Sequence, residues 1–181
     1  MKSIVNMVMA ILLIQYSVFQ ASVAFAQSEN VYRLSTGDVI SLTVFNEPEL
    51  GLQDVKIPDD GNISVPLLGQ VQVKGKSVLE VETLLTKLFG DDYLRNPSVS
   101  VAVSEYRPFY INGEVDDPGS YPFRTNMTVQ MAITIAGGFT ERASKREIYL
   151  LPEGKESQKR KVTLGDQVQP GDVLTIGESF F

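Results

Sequence analysis

The chain has 181 residues and contains no His, Cys or Trp, which excludes a Ser-His-Asp triad, a Cys-His dyad, a thiolate or imidazole zinc site and any disulfide. Its 43% hydrophobic and 21% charged residues are those of an ordinary folded chain. Sixteen basic against 22 acidic residues leave a net charge of −6, so no overall attraction to nucleic acid or to an anionic membrane is expected.

At the N-terminus, Lys2 precedes an unbroken apolar run over residues 7–14, which Gln15 stops, and small residues follow as far as Ala24-Phe25-Ala26. A basic start, an apolar centre and an A-x-A site predict a cleavable secretory signal over residues 1–26. The competing reading, an uncleaved anchor, needs about 20 apolar residues, more than this run supplies. No Cys follows the run to take a lipid, and an exported chain without Cys is held together by its core alone.

Further along, short β-rich segments alternate with turn residues. Residues 39–45 put Leu42 and Val44 opposite Ser41 and Thr43. Residues 98–104 alternate throughout, with Val99, Val101 and Val103 on one face, the pattern of a half-buried strand. Other strands are predicted at 63–65, 70–73, 109–115, 120–123, 148–151, 161–164 and 173–176. Asp60-Gly61, Asp117-Pro118-Gly119 and Gln169-Pro170-Gly171 serve as turns between them.

Two helices interrupt the strands. The first is predicted over 78–89, with Ser77 and Glu80 at capping-box spacing and Gly90 in a left-handed C-terminal turn. The second runs over 129–136, begins after Thr128 and stops at Gly137-Gly138; being nearly all apolar, it is expected to lie buried against a sheet. Each helix falls within its own group of strands. The fold class is therefore α+β, two small mostly-β domains with one main helix each, at 30–105 and 106–178, joined through Glu105-Tyr106-Arg107-Pro108. One pattern occurs twice, Thr36-Gly37-Asp38-Val39-Ile40 and Pro170-Gly171-Asp172-Val173-Leu174. By itself it means a turn entering a strand, with Asp expected to bond the backbone two residues on.

No catalytic set emerges. The pairs Asp59-Asp60, Asp91-Asp92 and Asp116-Asp117 sit beside Gly or Pro or at a helix exit and read as turn residues. Paired hydrolytic carboxyls must instead face one another across about 5–9 Å. Gly137-Gly138-Phe139-Thr140 follows a helix rather than opening one and lacks the phosphate-loop Lys. No calcium-loop spacing occurs, so neither metal nor cofactor is expected. The basic run Lys159-Arg160-Lys161, with Lys155 and Lys145-Arg146, is the one positive cluster. It is either a solvated hairpin or a contact surface for another subunit or an anionic sugar.

Taken in order, these segments resemble the outer-membrane polysaccharide export family, the Wza-like auxiliary proteins of capsule and exopolysaccharide secretion. The export-domain signature is similar to residues 32–40, with Gly37 and Asp38, and to Val44-Phe45-Asn46-Glu47-Pro48. It continues through Ile57-Pro58-Asp59-Asp60-Gly61, Val65-Pro66-Leu67-Leu68-Gly69, residues 73–77 and Leu94-Arg95-Asn96-Pro97. Ile111-Asn112-Gly113-Glu114-Val115, Pro118-Gly119-Ser120-Tyr121, Ala136-Gly137-Gly138-Phe139-Thr140 and the closing Gly171-Asp172 segment resemble the family's SLBB module, a β-grasp fold named for soluble-ligand binding.

The resemblance implies a non-enzymatic protein that forms a ring homo-oligomer in the periplasm and passes polysaccharide to the surface alongside an inner-membrane co-polymerase. Family members usually carry a lipidated Cys, further SLBB repeats and a C-terminal pore helix, and this sequence has no counterpart to them. The expectation is a short, unlipidated periplasmic subunit associated with the outer membrane. It would depend on a separate outer-membrane β-barrel, with Phe180-Phe181 as a docking tail. The alternatives are a stand-alone periplasmic carbohydrate- or peptidoglycan-binding module and, more remotely, a carboxylate-only hydrolase resting on Asp60 and Asp117.

Overall fold

Strand β1 (Val39–Val44) buries Ile40, Leu42 and Val44 and turns Ser41 and Thr43 outward, so its alternation decides which face meets the core. It forms the centre of a three-stranded antiparallel sheet, flanked by β2 (Leu52–Lys56) and β5 (Val99–Glu105). A separate hairpin joins β3 (Asn62–Val65) to β4 (Gly69–Gln72). Helix α1 (Val78–Asp92) packs on β5 and buries Val81, Leu85 and Phe89, and both halves of the Ser77/Glu80 capping box are formed. The computed structural model describes residues 31–179. The expected signal over 1–26 and the expected Phe180-Phe181 tail lie outside the described residues.

The second sheet has the order β7-β6-β10-β8-β9. Its strands are β6 (Phe109–Gly113), β7 (Gly119–Tyr121), β8 (Ala143–Leu151), β9 (Arg160–Lys161) and β10 (Val173–Glu178). β10 runs parallel to β6 and antiparallel to β8. Helix α2 (Val129–Ile135) covers this sheet, and Val129, Ala132 and Ile133 join Phe109, Ile111, Ile148, Leu150 and Leu174 in one core. From Arg33 onward the described chain forms a single compact unit; the preceding unit, up to Tyr32, lies almost wholly outside the described residues. The architecture is α+β, as expected.

Several local expectations need correction. Gly90 does not end α1. The helix continues to Asp92 with Tyr93 as its C-cap, and Asp91 sits inside the last turn, paired with Lys87 at 2.6 Å. A side chain at 90 would meet the Pro97 ring at 3.6 Å, an ordinary contact, so neither a left-handed turn nor a close approach requires glycine here. β2 was not expected, because Asp54 (φ +49°) forms a bulge opposite Ser41 and breaks the alternation of its strand. β8 is longer than predicted and β9 shorter: beyond Lys161 the chain turns through Thr163, whose amide and hydroxyl donate to Asp166. Only one side of α2 is buried, since Met131 and Ile135 are half exposed.

Candidate functional site

The two copies of the turn pattern meet at the joint between the sheets. Gly37 (φ +93°) and Gly171 (φ +84°) adopt the left-handed conformation that an L side chain resists. In each copy the aspartate reaches back rather than forward as expected. Asp38 Oδ2 accepts the amide of Ser35 at 2.8 Å, and Asp172 Oδ2 accepts that of Gln169 at 2.8 Å. Both aspartates are buried.

Arg107 lies between the copies. Its guanidinium donates to Asp38 Oδ1 and Oδ2 at 3.2 and 3.1 Å and to Glu153 Oε2 at 2.7 Å, and its amide donates to Asp38 Oδ1 at 3.0 Å. The Arg107 side chain is only 13% exposed, and its charge also reaches Asp172. Even so, burial raises the Asp172 carboxyl above its ordinary value, opposed by the Gln169 amide and the charges of Arg160 and Arg107. Arg107 was foreseen only as a linker residue. Buried Asp38 calls for a counter-charge, and the sequence shows one cation in the joint, but the burial that makes the demand is visible only in the structure.

The remaining motif residues occupy turns. Asp60 and Gly61 lead into β3, where Asp60 Oδ1 accepts the Asn62 amide at 3.0 Å, and Pro66 and Gly69 bracket the β3–β4 turn. Asn96 (φ +51°) and Pro97 connect α1 to β5. Gly113 ends β6, where a Cβ would stand 2.0 Å from the Ile176 carbonyl oxygen, so only glycine permits this approach to β10. Pro118 and Gly119 open β7. Gly137 and Gly138 follow α2 and lie against the Asp116-Asp117 turn, whose amides donate to Gly138 and Ala136 carbonyls. Asp60 and Asp117 therefore belong to separate turns in separate sheets. No group of three or more His, Cys, Asp or Glu suited to a metal occurs among the described residues.

Lys159, Arg160 and Lys161 lie on or beside β9, at the edge of the second sheet. β9 pairs with β8 at Tyr149 and Leu150, and the chain beyond Lys161 continues along β8 towards Lys145 and Arg146. Lys145, Arg146, Lys161 and residues 162–165 line a solvent-open groove of about 680 Å³. Lys161 Nζ donates to Glu147 Oε1 at 2.8 Å, and the Tyr149 hydroxyl donates to the other oxygen of that carboxylate. These bonds hold the Glu147 carboxyl below its ordinary value and raise Lys161 and Tyr149. Lys159 lies 5.0 Å over the Tyr149 ring and Lys145 5.9 Å over Phe139. A second cavity, about 530 Å³, runs along α2 beside Met127, Met131 and Ile135. No helix among the described residues is long and apolar enough to cross a membrane.

The family model for polysaccharide biosynthesis/export proteins matches residues 26–104, and the SLBB domain model matches residues 108–162. The exopolysaccharide production protein ExoF of Rhizobium meliloti (strain 1021) is 40% identical over 90 residues, which cover 47% of this chain and 21% of that protein. The EPS I polysaccharide export outer membrane protein EpsA of Ralstonia nicotianae (strain ATCC BAA-1114 / GMI1000) is 28% identical over 173 residues, 81% of this chain and 45% of its own length. The protein of the same name from Ralstonia solanacearum is 30% identical over 132 residues, covering 59% and 35% respectively. The chain thus spans less than half the length of these curated relatives.

Proposed function

We propose, because this chain belongs to the polysaccharide export family as one export domain followed by one SLBB domain, that it is a non-enzymatic subunit of an envelope machine that carries exopolysaccharide or capsule polymer across the outer membrane. Copies assemble as a ring scaffold in the periplasm, between an inner-membrane co-polymerase and an outer-membrane β-barrel.

The observation that carries this reading is the joint. The export-type sheet and the SLBB-type sheet share one compact unit, and the mostly buried Arg107 guanidinium ties the first motif turn, through Asp38, to Glu153 of the second half. A subunit that must repeat around a ring needs its halves held at one fixed angle, because an angular error in each copy accumulates and prevents closure. The half-exposed Met131 and Ile135 on α2 and the exposed Phe45 and Leu79 are apolar side chains suited to contacts with neighbouring subunits.

Deleting the gene in its native host tests the reading. Polymer is expected to stop reaching the medium while its synthesis continues, and the full chain is expected to restore secretion. Undiminished secretion in the deletion strain would overturn the proposal. Mass photometry of the purified protein separates ring from binder: a monomer at every concentration, with and without membrane partners, removes the ring and leaves the carbohydrate-binding module.

A further inference from the structure

We propose that the groove at the β8–β9 edge is a binding site for an acidic polysaccharide, one whose sugars carry carboxylates. The proposal deepens the export reading and rests on it. Its first support is charge placement. In a chain of net charge −6, Lys145, Arg146 and Lys161 line one groove at the sheet edge, and Lys159 and Arg160 lie beyond its end, where Arg160 pairs with Leu150. Among the described residues only Lys161 of these five makes an ion pair, with Glu147; Arg146 stands exposed with no carboxylate within ion-pair distance. A protein that used this edge only to deter strand addition would need one or two lysines; here Lys145 and Arg146, without an ion pair among the described residues, stand beside the Lys161–Glu147 pair.

The second support is shape. About 680 Å³ lies within the range of about 300–1,000 Å³ found for small-molecule sites, room for a short stretch of sugar units. The lining combines the planar Arg146 fork, which matches a carboxylate bidentately, with the Lys145 and Lys161 ammonium groups and the exposed Thr163, whose hydroxyl donates to Asp166 and can still accept from a sugar hydroxyl. Buried Val162 and half-buried Leu164 supply apolar surface beneath.

The same features favour a polysaccharide over other polyanions. A membrane-binding cationic face projects apolar side chains into the lipid, whereas here Val162 is recessed in the floor. Duplex nucleic acid presents one charge per about 1.7 Å, and so dense a line would meet the acidic remainder of the chain. A polysaccharide with one carboxylate every sugar or every few sugars matches a local cluster without that penalty.

Binding of the full chain to oligogalacturonate, to dextran oligomers of equal length and to phosphatidylglycerol vesicles tests the site by calorimetry at low and physiological salt. Oligogalacturonate is expected to bind and dextran not, with affinity falling as salt rises. R146E/K161E is expected to weaken binding by about tenfold or more, the loss of two partly exposed charge-assisted contacts. The milder K145Q/R146Q is expected to show a smaller loss with an unchanged melting temperature, and K56E, on the other sheet, no loss. Equal binding of dextran, full binding by both folded double variants, or vesicle binding as tight as oligogalacturonate would each overturn the proposal. In cells the two readings fail separately. A host exporting an acidic polymer that secretes normally with R146E/K161E but not without the gene refutes the groove alone; normal secretion without the gene refutes the export reading, while the binding arm still reports on the groove.

Discussion

The turn at residues 36–40 and the turn at residues 170–174 share a left-handed glycine and an aspartate that accepts the amide three residues before it at 2.8 Å. They differ in what surrounds the carboxylate. Asp38 is in direct contact with Arg107, whereas Asp172 receives that charge only at longer range and its carboxyl is pushed upward by burial. One local motif thus does two jobs. In the first sheet it is a charged anchor for the other half of the molecule; in the second it is a turn that tolerates a buried acid.

The sharpest way to break this contrast is to remove the charge from each aspartate in turn. D38N takes the buried carboxylate away from the mostly buried Arg107, leaving its ion pair with half-exposed Glu153, and it is expected to cost about 3 kcal/mol in urea denaturation. The loss in D38N/R107M should be smaller than the sum of the single losses, because the two side chains act as a unit. Equal effects of D38N and D172N would show that Arg107 does not distinguish the turns.

The glycines come next. G37A and G171A each place an L side chain in left-handed backbone, at about 1–2 kcal/mol. At 171 the new methyl would also stand 2.6 Å from Glu153 Oε2 and 2.9 Å from Arg107 Nε, whereas at 37 its nearest neighbour is Arg107 Cβ at 3.4 Å. G171A is therefore expected to be about 1 kcal/mol worse than G37A by thermal unfolding.

Helix caps extend the comparison on a smaller scale. Ser77 is capped reciprocally with Glu80, while Thr128 accepts only from the Met131 amide, so S77A should cost about 1 kcal/mol and T128A less.

The smallest expected effect belongs to D172N, within about 1 kcal/mol of the wild type at pH 7 and on the stabilising side, since an Asn oxygen can still accept the Gln169 amide. Its sign should follow pH. The folded Asp172 carboxyl titrates above its unfolded value, so its favourable contribution to folding is complete below the unfolded value of about 3.9 and is lost as pH rises through the folded one. The advantage of D172N should accordingly vanish in acid; an advantage that grows as pH falls would contradict the burial argument.

Much of this was legible locally. The alternation at 39–45 and 98–104 named the buried faces of β1 and β5, and the Ser77/Glu80 spacing named a cap that the structure forms in full. What escaped were features whose cause lies far away in sequence. β2 is a strand only because β1 offers it hydrogen bonds around a bulge. Gly90 reads as a helix stop, yet the helix runs on through it to Asp92. The Lys159-Arg160-Lys161 run and Lys145-Arg146 read as one cluster in sequence, but that Lys161 alone of the run lines the groove with Lys145 and Arg146 is visible only in the structure.

The sequence by itself determined the class of most elements, β2 excepted, because alternation, capping and turn chemistry act over a few residues. It also settled what chemistry is missing, since a chain without His or Cys cannot assemble sites that need them. Tertiary structure alone decided that β10 lies parallel to β6, that Asp38 and Glu153 share one arginine, and that separated cations line one groove. These are consequences of chain closure over long separations, where the energy of burying a shared core, rather than any local preference, selects the neighbours.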